Sequence, residues 1–120
     1  MRAAGLLFAM LALGSPALAL ASPPDWIRLP SAADFRKVYP VHAYQKNLEG
    51  SGTIQCVFNG QGKLDACRLL SEDPQGLGFG KAALALAPHY QAKPTQNDGK
   101  PIEGAPFTTR IEFTLDLAPE

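Results

Sequence analysis

Gly52-Thr-Ile-Gln-Cys56-Val-Phe-Asn59-Gly-Gln-Gly62-Lys-Leu-Asp-Ala-Cys67-Arg-Leu-Leu-Ser71 is the stretch whose reading decides the fold. Two β-prone runs, Thr53 to Phe58 and Lys63 to Leu70, flank the turn cluster Asn59-Gly60-Gln61-Gly62, a pattern that predicts a β-hairpin. Cys56 and Cys67 are the only cysteines, one in each arm and at nearly equal distances from the turn. Closing the hairpin sets them almost opposite each other, within disulfide reach. In the first arm Ile54, Cys56 and Phe58 share one face. In the second, Cys67 and Leu69 share a face while Leu64 has the opposite parity. A bulge near Asp65-Ala66 would reconcile the two; without it, either Leu64 or the disulfide faces the wrong side.

Ahead of the hairpin, residues 1–21 have a character of their own. Arg2 is followed by the apolar run Ala3 to Leu13, then by Gly14-Ser15-Pro16 and the small-residue pattern Ala17-Leu-Ala-Leu-Ala21. This reads as a secretory signal peptide cleaved after Ala21 or Ala19, with a retained membrane anchor as the alternative. A spanning helix needs about 20 apolar residues, and Gly-Ser-Pro interrupts this run well before that. Export implies an oxidising compartment, which agrees with a cysteine pair. Over the whole chain 11 basic residues balance 11 acidic ones, and losing residues 1–21 removes only Arg2 from that count. Such a balance gives no electrostatic case for nucleic acid or an anionic membrane.

Residues 22–32 read as an extended lead-in, with Trp26 folding back as a lid on a small core in preference to stacking on a ligand. Ser31-Ala-Ala-Asp34 reads as a helix N-cap carrying Phe35 and Val38 inward. Pro40 opens a second helical piece ending near Leu48, with Val41, Tyr44 and Leu48 on one apolar face and Gly50 and Gly52 releasing the chain into the first strand. Beyond the hairpin, Phe79 to Ala87 reads as a helix stopped by Pro88, burying Phe79, Ala83, Leu86 and Ala87. Asn97-Asp-Gly-Lys-Pro101 is a turn. Phe107 to Leu117 alternates cleanly: Phe107, Thr109, Ile111, Phe113, Leu115 and Leu117 against Thr108, Arg110, Glu112, Thr114 and Asp116. The expectation is an α+β domain over residues 33–118, a three-stranded antiparallel sheet with two helices packed on one face. Three strands leave two edges with unpaired N–H and C=O groups.

The residue types that carry chemistry do not assemble into a site. His42 and His89 are the only histidines and lack metal-ligand spacing, and a disulfide removes the thiolates. Ser31, Ser51 and Ser71 sit in caps and turns without a nucleophile motif. Glu72-Asp73 before Pro74 reads as solvated surface, and Gly76-Leu-Gly-Phe-Gly80 lacks the rest of a phosphate loop. No catalytic residue, metal or cofactor is predicted, and the chain reads as non-enzymatic.

Seven short motifs occur in a fixed order: Tyr39-Pro40-Val-His-Ala43, Gly52, Gly62, Ala82-Ala83-Leu84, Tyr90 with Pro94, Asp98-Gly99-Lys-Pro101-Ile102, and Phe113-Thr-Leu115. Together they resemble the TonB C-terminal domain family. The cysteine pair with Glu72-Asp-Pro and Gly78-Phe-Gly80 is similar to a stand-alone periplasmic subgroup. The resemblance implies a protein-binding domain of TonB-type energy transduction at the outer membrane. In that family a short receptor segment adds as a strand along the last strand. Carried over, this makes Thr108, Arg110, Glu112, Thr114 and Asp116 the partner-binding edge. Many members have proline where Arg110 stands; arginine restores a backbone donor there. Full-length members carry a membrane anchor and a Pro-rich spacer. Neither is read here, so the expectation is a free periplasmic domain binding a segment of an outer-membrane receptor. The alternative is a self-associating accessory domain, a homodimer paired through the last strand.

Overall fold

The structure is a computed structural model that describes residues 22–116; the expected signal peptide and the last expected strand residue, Leu117, lie outside them. The elements in order are β1 (Trp26–Arg28), α1 (Ala32–Val38), α2 (Val41–Gln45), β2 (Gly50–Phe58), β3 (Leu64–Asp73), α3 (Phe79–Leu86), a 3-10 turn (Ala87–His89), β4 (Gln91–Ala92) and β5 (Pro106–Phe113). The main sheet is antiparallel with strand order β3-β2-β5, and the helices pack against one side of it. This is the expected α+β arrangement, with a small addition: β1 and β4 form a separate two-stranded ribbon.

The hairpin turn is organised by Asn59. Its side-chain oxygen accepts from the N–H groups of Gln61 (2.9 Å) and Lys63 (3.0 Å), and its own N–H donates to the Lys63 carbonyl. This is the local mimicry of backbone bonding that favours Asn in turns. The expected bulge is present. The register passes from Gln55↔Arg68 to Val57↔Asp65, and Ala66 takes a left-handed φ of 53° to absorb the extra residue. A second bulge, which the sequence reading did not include, follows between Ile54↔Leu69 and Thr53↔Ser71 and leaves Leu70 as the extra residue. Cys56 and Cys67 are joined by a disulfide with their Cα atoms 4.1 Å apart.

The second bulge turns Glu72 toward α3. Its carboxylate accepts from the Gly80 N–H at 2.7 Å, in the first turn of the helix. Gly78, the N-cap, offers no side chain, so Glu72 takes over that role and favours the positive end of the helix dipole. The reading of Glu72 as solvated surface is corrected accordingly. Helix α3 buries Phe79, Ala83 and Leu86 as expected, and Gly80 and Ala82 with them. It lies directly on β2, where a Cβ at Gly52 would sit 2.8 Å from the Ala83 Cβ and 2.9 Å from the Phe79 carbonyl. Gly52 thus sets how close the helix comes, beyond ending the segment before it.

Helix α1 is capped by the reciprocal bonds of Ser31 and Asp34, and Phe35 packs edge-on against Phe113 at 5.4 Å. The reading of the next segment does not hold. Helix α2 has only five residues, and Asn47 at φ 59° ends it before Leu48. Val41 and Tyr44 are 65% and 57% exposed, whereas Ala43 is buried. A helix this short cannot keep one face inward over seven positions. Tyr39, at the junction before Pro40, supplies the core contact instead, against Phe79 and Phe113, with its hydroxyl donating to the Leu48 carbonyl at 2.8 Å.

Trp26 is the lid expected of it. It is half-buried over Phe107, Tyr90 and Phe58, with ring centroids 5.3, 5.5 and 5.9 Å away. Its strand is tied down by Asp25, whose carboxylate accepts from the backbone and side-chain N–H groups of Asn97 at 2.7 and 2.9 Å. The Asp25 carbonyl accepts from Lys93 N–H at 2.8 Å.

Candidate protein-binding edge

β5 carries the alternation read in its sequence: Ile111 and Phe113 are buried, while Thr108, Arg110 and Glu112 are exposed on the uncovered face. The strand is shorter than expected. It ends at Phe113, opposite Gly50 where β2 begins, and Leu115 donates its N–H to the Glu49 carboxylate at 2.8 Å. A ladder cannot continue past the end of its partner, so Thr114 and Asp116 lie beyond the strand. Thr108, Arg110 and Glu112 remain within it.

The bonding direction of each residue follows from the ladder. The Phe58 N–H donates to the Ala105 carbonyl at 3.0 Å, and antiparallel ladders alternate. Phe107, Thr109, Ile111 and Phe113 therefore bond toward β2. Thr108, Arg110 and Glu112 turn their N–H and C=O groups to the outer side. The other side of β2 agrees: Asn59 bonds Lys63, so the odd residues of β2 serve β3 and the even ones serve β5. Among the described residues no strand pairs with the outer side of β5.

The two sheet edges differ. β3 carries two bulges, which break the repeat that an added strand needs. β5 runs in register with β2 from Pro106 to Phe113 without interruption. On the uncovered face Arg68 donates to the Gln55 side-chain oxygen Oε1 at 2.8 Å, and Gln55 Nε2 donates to the Thr108 hydroxyl at 3.2 Å, so a polar chain crosses all three strands. Next to it the Arg110 guanidinium pairs with the Glu112 carboxylate at 3.1 Å.

At its far end β5 leads into a cavity of about 470 Å³ lined by Tyr39, Val41, Tyr44, Thr114 and Leu115, with Arg36 at its side. Sequence reasoning missed this groove, because the periodicity of Val41 and Tyr44 looked like a core face. Beneath the strand, burial pushes the Tyr90 phenol above its ordinary pKa, and a hydrogen bond with Thr109 opposes part of that rise. The disulfide joins β2 to β3 and does not reach the open side of β5.

Residues 36–115 match the family described as the Gram-negative bacterial TonB protein C-terminal. The chain belongs to that family. The TonB family match takes in α2, the whole three-stranded sheet and α3, and begins after the Trp26 strand. Among solved structures, the TonB2 protein of Vibrio anguillarum is similar at 21% identity over 95% of each chain, with a TM-score of 0.47. No curated protein matches the chain. Among the described residues no helix is long and apolar enough to cross a membrane.

Proposed function

We propose that this chain is a non-enzymatic periplasmic module of TonB-type energy transduction, exported through residues 1–21, which binds an extended segment of an outer-membrane receptor by strand addition along β5. One observation carries the reading. β5 is an uninterrupted eight-residue strand whose Thr108, Arg110 and Glu112 present their backbone groups outward, while the opposite edge is broken by bulges. Main-chain bonds to those three residues supply affinity, and side chains of the added strand supply selectivity. The groove beside Val41 and Tyr44 gives an apolar side chain a place to go where the strand ends.

The test is a titration of the isotopically labelled protein with synthetic segments taken from the periplasmic side of outer-membrane receptors. Binding should move the amide signals of Thr108, Arg110 and Glu112 and leave those of Leu64 to Asp73 in place. Arg110→Pro removes the central outward donor and should abolish the response while preserving the fold, since an edge strand tolerates proline. Unchanged β5 amides at saturating peptide, or binding that survives the proline, would defeat the proposal.

A further inference from the structure

We infer that the foot of the sheet, on its uncovered face, is a subsite for a basic side chain, arginine or lysine, carried by the added segment at the position opposite Glu112. The inference rests on the strand-addition reading above and adds to it the charge that the segment carries.

Three residues form one row across the sheet. Ser51 of β2 pairs with Asp73 of β3 on one side and with Glu112 of β5 on the other. Paired residues share a face, so the Ser51 side chain stands between two carboxylates. Glu49 brings a third. These four residues and Arg110 line a cleft of about 220 Å³.

Ser51 marks the cleft as a place that holds a ligand. It is the one buried polar residue among the described residues, only 5% exposed, and its hydroxyl has no hydrogen-bond partner among them. A hydroxyl taken out of water without a partner is costly, and a ligand that bonds it recovers that cost. Water can bond a hydroxyl, but it leaves the charge of the cleft unmatched. Arg110 pairs with Glu112 at 3.1 Å. Glu49 accepts from the Leu115 N–H at 2.8 Å, which leaves its charge in place. The Asp73 carboxylate has no partner among the described residues. Three carboxylates thus face one guanidinium, and a second cation is favoured.

The spacing favours a cation on a stem over a bare ion. Neighbouring strands lie about 4.8 Å apart, so Asp73 and Glu112 stand on backbones about 10 Å apart. A calcium ion needs its oxygens within about 2.6 Å. No group of three or more His, Cys, Asp or Glu side chains among the described residues could hold a metal ion. A guanidinium or ammonium instead offers several donors, which the Ser51 oxygen and the carboxylates accept. A residue added opposite Glu112 continues the row on the same face. A long basic side chain there lies across Glu112 and brings its charged head toward Ser51, with the apolar stem against β5. Glutamate at that position sets like charges opposite each other and is disfavoured.

The test uses the receptor segments of the titration above. Contacts between the amides of the bound segment and those of β5 fix which residue faces Glu112. That residue is made arginine in one peptide and citrulline, its uncharged analogue, in another. The arginine peptide should bind about fivefold tighter, move the Ser51 and Asp73 amides as well as those of β5, and lose its advantage as salt is added. Ser51→Ala and Asp73→Asn should each shrink the advantage of arginine over citrulline, and the double variant should erase it. Thermal melts keep misfolding apart from loss of the subsite. Equal affinity for the two peptides, with the β5 amides still responding, would overturn the inference and leave strand addition intact. An arginine advantage that persists in the folded double variant would overturn it as well. Ethylguanidinium alone, if it moves the Ser51 and Asp73 amides as far as the arginine peptide does at the same concentration, would assign the cleft to a free small cation and overturn the role of the segment. A β5 edge silent to every peptide would defeat strand addition itself, and this inference with it.

Discussion

At the scale of single residues, Asp34 shows how one carboxylate joins separate parts of the molecule. Its oxygen accepts from the Ser31 backbone N–H at 2.9 Å and lies 3.6 Å from both Arg28 and His89. The Arg28 guanidinium also lies 3.0 Å from His89 Nδ1, so the three side chains form one cluster. The Ser31 backbone bond does most to hold the Asp34 carboxyl below the usual carboxylate range, with the Ser31 hydroxyl, His89 and Arg28 adding to it against the opposing effect of burial. A carboxyl lowered on folding contributes stability that is complete above its unfolded value of about 3.9 and is lost as the pH falls through the folded value. Asp34→Asn keeps an acceptor but loses the charge, so its stability should fall less steeply than the wild type's below about pH 4. Denaturant titrations at a series of acid pH values check this; parallel slopes would remove Asp34 from the account.

At the scale of elements, what was legible in the sequence was what local chemistry decides. Asn59 and the glycines announced the hairpin, and strict alternation announced β5 and its open face. The conflict in parity between Leu64 and Cys67 was enough to demand the first bulge. The second bulge could not be read, because it goes with Glu72 reaching hydrogen-bonding distance of the Gly80 N–H eight residues on, a contact set by how α3 docks on the sheet and not by any local pattern. Helix α2 was misread for a similar reason: Tyr39 took the core position that the spacing of Val41 and Tyr44 seemed to claim. The groove went unseen with it. The disulfide belongs to this scale too, since it joins β3 to β2 between the two bulges. Opening a loop of this size costs about 3 kcal/mol through the unfolded chain. Reduction, or Cys56→Ala with Cys67→Ala, should lower the melting temperature without abolishing the sheet. Calorimetry with and without reductant would show it, and identical melts would mean that the bond contributes nothing.

At the scale of the whole molecule, the folded unit begins earlier than the segment that matches the TonB family. Trp26 covers Phe58, Tyr90 and Phe107, and Asp25 ties its strand to the 93–97 loop. Deleting residues 22–30 would uncover all three rings. Replacing a large buried aromatic costs about 3–5 kcal/mol, and a half-buried one somewhat less, so the truncated protein should unfold at markedly lower denaturant than the full one. Equal midpoints would show that the lead-in is dispensable. The same attachment has a mechanical side. Tension arriving from residues ahead of Asp25 meets first the bonds to Gln96 and Asn97, then a ribbon of only two residue pairs, and then the Trp26 contacts. These yield in turn, each freed residue lengthening the chain by about 3.5 Å. Under a pull applied at the N-terminus, the lead-in thus detaches before the three-stranded sheet is loaded.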